Sequence, residues 1–332
     1  MSETITPREI PIISVEDAMV HFPVKRSQMQ RLQGKPKQFV QALNGVRLEI
    51  TRGETLGIVG ESGCGKSTLA RALVGLLSTT DGRVRFKGQD ISTLLGQARR
   101  DFNRQVQMIF QDPYGSLNPR MTVGQMLSEA LSVHDMRPKH AIPARILELM
   151  DLVRLPADAI DKLPHEFSGG QRQRIGISRA LAVEPEVLVA DELVSALDVS
   201  VQAQVVNLLL DLQNKLSLTV LFVAHDLRLV RHISHRVAVM YLGEVVEVGN
   251  TQTLYRTPLH PYTQALLRAA PSLDPATRGK NVSLTGELPS PLSPPAGCRF
   301  HTRCPNVTDR CLVERPVLTL KASGQKVACH WA

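Results

Sequence analysis

Long apolar runs are absent from this chain. No stretch reaches the ~18 residues that a membrane-spanning helix takes, so nothing in it reads as a membrane anchor. The opening residues MSETITPREI carry no basic segment followed by an apolar core, so no secretory signal is read there. Aromatic side chains make up only 4% of the chain, too few for the stacking platforms that hold single-stranded nucleic acid. Lys and Arg exceed Asp and Glu by 39 to 31, a net charge of +8, yet the basic residues are scattered (Lys25, Arg26, Arg99, Arg100, Arg172, Arg174) rather than gathered in a run. Such a balance suits a surface lying beside anionic lipid, and no nucleic-acid partner is expected. Cysteine is missing before Cys298 except at Cys64. What remains is a 332-residue chain with 43% hydrophobic residues, enough for a sizeable core and one large or two medium domains.

The most informative segment is GESGCGKST, residues 60–68, directly after the apolar run LGIV and before the helical pattern TLARALVGLL. It has the G-x-x-x-x-G-K-[ST] form of a phosphate cradle. Its glycines allow successive backbone N–H groups to turn inward on nucleotide phosphates, with Lys66 reaching the β- and γ-phosphates and the Ser67 hydroxyl holding Mg²⁺. The following helix N-terminus adds partial positive charge. Gly60, Glu61, Ser62, Gly63, Cys64, Gly65, Lys66, Ser67 and Thr68 are therefore the candidate nucleotide-binding loop. A second anion-binding helix start is read at Ser168, Gly169, Gly170 and Gln171, before a helix over 171–182. One nucleotide needs one such loop, so a second makes sense if it caps a nucleotide held by another subunit.

With these two segments, and VLVADE at 187–192, SALD at 195–198, His225 after TVLFVA and Gln111 after VQMIF, the chain resembles the ATPase subunit of an ATP-binding cassette (ABC) transporter. The resemblance covers about residues 14–250. It implies an α/β fold, an ABC-type P-loop nucleotide-binding domain with a helical subdomain at about 112–166. It also implies that Asp191 joins Ser67 and Gln111 around Mg²⁺, that Glu192 acts on the attacking water, and that His225 contacts the γ-phosphate. Gln111 would couple this site to the membrane partner, which would dock at PYGSLNPRMTVG, residues 113–124. Hydrolysis of ATP to ADP and phosphate needs charge neutralisation, in-line positioning and a group that orients water, and these residue types supply all three. The family also has an aromatic on adenine; Phe22 and Phe39 are the candidates. One departure is Leu193, where the family usually has proline after the Glu, which would loosen the turn because proline fixes φ.

The short runs LGIV, VLVA and VLFV are each expected to be strands buried on both faces of a parallel sheet, with the site at their carboxyl ends. Residues 112–166 break the alternation with helical stretches, VGQMLSEALSV and ARILELMDLV among them. Residues 14–22 read as a strand, and 23–38 as an exposed basic loop.

From 251 to 332 a C-terminal extension follows. HPYTQALL and ELPSP, with FQDPYGSLNPR and VSALDVSVQAQV, are similar to the ATPases of dipeptide and oligopeptide importers, nearest the dipeptide F-type subunit. Nickel and other solute importers are relatives, and a non-transport ABC protein is the remaining alternative. Four cysteines crowd this extension, Cys298, Cys304, Cys311 and Cys329, spaced C-x5-C-x6-C-x17-C. Four thiolates can hold a [4Fe–4S] cluster or a structural zinc, or remain thiols packed as small hydrophobes. The spacing lacks tight C-x2-C pairs, and the resemblance favours iron–sulfur with zinc second. His301 and His330 are surplus to that ligation. The resemblance further implies a paralogous ABC ATPase partner, two transmembrane permease subunits, a peptide-binding protein outside the membrane, and a peripheral place on its cytoplasmic face.

Overall fold

The computed structural model describes residues 10–26, 29, 33–34, 36–195, 197–269 and 286–332. The N-terminal segment of the signal reading, parts of the 23–38 loop, Ala196 of SALD, and the stretch 270–285 that ends LHPYTQALLRAAPSL lie outside the described residues.

The chain opens with β1 (Ile13–Pro23) and β2 (Phe39–Ile50), which pair antiparallel with Phe22 opposite Val40 and Pro23 opposite Phe39. Then come β3 (Thr55–Val59), the loop 60–65 and helix α1 (Lys66–Leu73). Strands β4 (Asp81–Phe86) and β5 (Gln89–Asp90) complete a four-stranded antiparallel sheet in the order β2-β1-β4-β5. Helix α2 (Gly96–Gln105) leads into β6 (Val106–Ile109). Helices α3 (Pro113–Ser116), α4 (Val123–Val133), α5 (Ile142–Leu152) and α6 (Gly169–Leu181) then separate β6 from β7 (Val187–Asp191). After α7 (Val199–Leu216) come β8 (Thr219–Val223), α8 (Leu227–Ile233), β9 (Arg236–Tyr241) and β10 (Glu244–Asn250). The last part holds α9 (Thr251–Arg256), α10 (Pro261–Ala269), α11 (Asp309–Val313), β11 (Thr319–Leu320) and β12 (Lys326–Val327).

The second sheet has eight strands in the order β11-β12-β10-β9-β3-β8-β7-β6. Its centre, β9-β3-β8-β7-β6, is parallel. Every residue of β3, β7 and β8 is buried, as continuous apolar runs in a doubly covered sheet require. Alternate residues serve opposite faces. Leu188 and Ala190 join a core with α4–α7, while Val187 and Val189 join one with α1 and the small antiparallel sheet. The helical insertion is stapled at its start by a capping box, in which Thr122 Oγ1 accepts from the Gln125 N–H at 3.3 Å and Gln125 Oε1 accepts from the Thr122 N–H at 2.9 Å.

The C-terminal extension is built onto the cassette's own sheet and core. Strand β12 pairs antiparallel with β10, Glu247 opposite Val327, and so extends the central sheet. Phe300, 1% exposed, packs edge-on to Tyr241 of β9 at 5.2 Å and against Tyr262 of α10 at 5.4 Å. These segments are too short and too Pro-rich to bury a core alone, and they take part of the main one.

Candidate functional site

The phosphate-loop segment links the carboxyl end of β3 to α1, where a parallel sheet opens its crevice. Gly65 has φ +106°, and a Cβ there would stand 2.4 Å from the Ala42 carbonyl oxygen, so no side chain fits. Cys64 is fully buried under the loop and anchors it through its carbonyl, which accepts from the Gly243 N–H at 2.8 Å. Lys66, 4% exposed, donates from Nζ to the carbonyl oxygens of Gly60 at 2.8 Å and Glu61 at 3.1 Å. Its third partner is Cys64 Sγ at 4.0 Å, and a buried cation held by neutral groups is suited to an anion.

A cavity of about 410 Å³ lies over this loop. Ser62, Gly63, Gly65, Lys66, Ser67 and Thr68 form its floor, Phe22, Val40 and Ala42 one wall, and Gln111 and Glu192 another. Of the two aromatic candidates, Phe22 lines the cavity and Phe39 does not. Gly60, Glu61 and Cys64 hold the loop from behind rather than lining it.

The carboxylates arrive on β7. Asp191, 2% exposed, accepts a hydrogen bond from the Ser67 hydroxyl at 3.0 Å. Burial raises its pKa, the Ser67 hydroxyl opposes that, and the neighbouring Glu192 charge adds to it. A hydroxyl and a carboxylate are hard oxygen donors of the kind Mg²⁺ takes. Glu192 follows in the left-handed region, φ +46°, an unusual conformation for a non-glycine and one that costs energy. Its N–H donates to the Val223 carbonyl at 2.9 Å, and its carboxylate accepts from Gln111 Nε2 at 2.6 Å. The site thus joins the ends of β3, β6 and β7. His225 stands exposed at the end of β8 and is not part of the cavity lining.

Ser168, Gly169, Gly170 and Gln171 are also outside the cavity. Ser168 is the N-cap of α6, closed by a reciprocal box with Gln171 at 2.9 and 3.3 Å. Gly170 is needed there because a Cβ would stand 2.4 Å from Val201 of α7.

The four C-terminal cysteines form no disulfide. Burial first, then the neighbouring Cys311, Cys304 and Cys329, push the Cys298 thiol up to about 11. Cys304 is raised by burial and by Cys329 and Cys311. They are therefore neighbours, and the donor set is right in number and kind for a metal. The spacing of the side chains gives the expected iron–sulfur or zinc site no support. Among the described residues no group of three or more His, Cys, Asp or Glu side chains has the spacing to hold a metal ion. The neighbouring polar groups have local partners instead. Cys311 Sγ lies 3.3 Å from Thr308 Oγ1, and the His301 and His330 rings bond to the carbonyls of Cys298 and Glu314.

Sequence reasoning missed four contributors. Pro291 closes the cavity near Phe22. Tyr262, Arg299 and Arg303 brace the loop and its neighbours. The one available signal was two arginines set between the cysteines of CRFHTRC, where charges beside a candidate core segment need partners.

Two family models match the chain: ABC transporter over residues 43–195, and oligopeptide/dipeptide transporter, C-terminal region, over 246–311. YkfD of Bacillus subtilis is 51% identical over 97% of this chain and 96% of its own length. The oligopeptide transport ATP-binding protein OppF is 49% identical in Salmonella typhimurium, over 96% of this chain and 95% of that protein, and 49% identical in Escherichia coli, over 92% of each. Among solved structures, cbiO1 from Clostridium perfringens, part of the ABC transporter complex cbiONQ, aligns with TM-score 0.63 and 28% identity over 75% of this chain and 92% of that one. The dimeric bacterial ABC transporter cassette MJ0796 aligns with TM-score 0.61 and 27% identity over 72% of this chain and 98% of that one.

Proposed function

This chain belongs to the ABC transporter family, in the branch of oligopeptide transport ATP-binding proteins, and from that premise we propose how its residues divide the work. The chain is an ATPase that powers peptide uptake through an importer. Relatives named for oligopeptide transport favour peptide over nickel or another solute. The cassette spans 14–250 with its helical subdomain at about 112–166, and 251–332 is the importer-specific extension.

MgATP is the substrate. Lys66 and the loop N–H groups of 60–68 take the phosphates, and Phe22 takes the base. Ser67, Asp191 and Gln111 hold the Mg²⁺ that travels with ATP and offsets charge on the transferred phosphoryl group. Glu192 orients and deprotonates the attacking water; His225 steadies the γ-phosphate. The observation that carries this reading is the convergence of Lys66, Ser67–Asp191 and Gln111–Glu192 on one cavity. Ser168, Gly169, Gly170 and Gln171 complete the site of a second ATPase subunit, for which the peptide-importer resemblance favours a paralogue. Two permeases and a peptide-binding protein complete the importer, with this subunit peripheral on the cytoplasmic face.

Substituting Ser168→Arg tests the division between chains. Titration with a fluorescent ATP analogue is expected to give wild-type affinity, while hydrolysis by the assembled importer falls roughly a hundredfold, the scale of losing aimed donors. Weakened nucleotide binding in the isolated variant would instead put Ser168 in its own chain's site.

The four cysteines are assigned to a [4Fe–4S] cluster rather than zinc. The reading rests on the peptide-importer resemblance and on four thiols close enough to raise one another's pKa. Anaerobically purified protein should hold about four iron and four acid-labile sulfide per chain; zinc or no metal on analysis would overturn the assignment.

A further inference from the structure

The segment from 286 onward runs along the outside of the nucleotide cavity and grips the phosphate loop. Arg303, its side chain 3% exposed, donates from Nη1 to Glu61 Oε2 at 2.6 Å and from Nη2 to Glu61 Oε1 at 3.0 Å. The guanidinium sits 5.9 Å from the centre of the Tyr241 ring. The backbone N–H of the same Glu61 donates to the Tyr262 hydroxyl at 2.9 Å. Glu61, second residue of the loop, is thus fixed at side chain and backbone by two residues of the extension. Its carbonyl in turn accepts from Lys66 Nζ. One residue therefore connects Arg303 and Tyr262 to the Lys66 ammonium.

Two more contacts extend the grip. The Gln41 N–H donates to the Pro291 carbonyl at 3.0 Å, which sets Pro291 in the cavity wall. Arg299 pairs with Glu244 at 2.6 Å, both nearly buried, and donates to Gln41 Oε1 at 2.7 Å. Arg303 itself is carried on the turn between Cys298 and Cys304, its N–H donating to the Phe300 carbonyl at 3.0 Å.

We propose that Arg303 is a positioning residue for the ATP reaction: through Glu61 it holds the phosphate loop in its anion-ready form, so the C-terminal extension sets the affinity for MgATP. Two physical effects act together. A glycine-rich loop loses much conformational entropy on closing around phosphates, and bracing it beforehand removes part of that cost. Glu61 also brings a carboxylate into a loop that must accept a polyanion, and Arg303 neutralises it with a bidentate pair. The inference rests on reading 60–68 as the nucleotide loop.

The test is a double-mutant cycle with MgATP hydrolysis and fluorescent-nucleotide binding as readouts. Arg303→Met leaves Glu61 uncompensated and should raise the KM for MgATP about tenfold with little change in kcat. Glu61→Gln should raise it less than about threefold, and the double variant should be no worse than Glu61→Gln alone. A role confined to folding would lower the melting temperature and leave KM unchanged; KM values within about twofold of wild type in all three variants would overturn the proposal. Arg303→Lys, which keeps the charge but loses the bidentate fork, covers a Met variant that does not fold. An intermediate KM is expected, and a wild-type KM counts against the inference. Lys66→Ala separates the two failures. If it binds MgATP normally, the loop assignment itself is wrong. If it loses binding while Arg303 variants keep theirs, only the role of Arg303 falls.

Discussion

At the scale of single residues, the site is built by holding polar groups where they would not rest by themselves. Glu192 is kept in a left-handed backbone conformation by its N–H bond to Val223 and by Ser195, whose N–H and hydroxyl both donate to the Glu192 carbonyl at 3.1 and 3.0 Å. Leu193, 2% exposed, is buried in the main core. Burial and hydrogen bonds thus restrain the turn that proline would restrain through its ring. His260 is held in a different way. It is 1% exposed, and its Nδ1 accepts from the Tyr262 N–H at 3.0 Å, so the ring is neutral. Burial pushes its pKa down to about 3 from an ordinary 6.5. As pH falls below 6.5 the unfolded chain takes up a proton that the folded chain refuses, so stability is lost on acidification through the window from 6.5 towards 3. Asp191, Glu244 and Glu247 are raised by burial and act with the opposite sign in the carboxylate range below that. Urea unfolding at pH 7 and 5.5 should show a loss of about 1.3 kcal/mol from His260. His260→Asn, which keeps an acceptor there, should flatten the dependence. Equal pH sensitivity in both proteins would contradict this account.

At the scale of elements, the sequence was legible where one periodicity ran long enough. The apolar runs at 56–59, 187–190 and 220–223 are the central strands, and VGQMLSEALSV is helix α4 residue for residue. The helix expected over 171–182 begins two residues earlier, at Gly169, because Ser168 caps it. Lys66, Ser67, Gln111, Asp191 and Glu192 were legible because each follows a strand or opens a helix within a local motif. The antiparallel sheet was less so. Strand β2, FVQALNGVRLEI, mixes exposed and buried residues without clean alternation, and the structure defines it by pairing with β1. Strands β11 and β12 hold two residues each, too few for any period, and exist because β10 offers an edge. Arg303 reaches Glu61 from 242 residues away, and no local pattern carries such a contact.

At the scale of the whole molecule, the strand order brings the ends of β3, β6 and β7 to one crevice, and the Ser168 helix start is not part of its lining. In the proposed division of work, that crevice takes the phosphates and water of the chain's own nucleotide, and the Ser168 helix start serves a neighbour's. The C-terminal part adds an edge to the same sheet and a brace to the same loop, which makes it a working part of the cassette rather than an appendage. All of this depends on the crevice being a hydrolytic site with Glu192 acting on water. The most direct test is steady-state ATP hydrolysis by Glu192→Gln, with nucleotide binding measured on the same preparation. The account expects ATP binding to survive and turnover to fall by about a thousandfold, within the range that a positioned base contributes. Turnover close to wild type in a variant that binds ATP would contradict it.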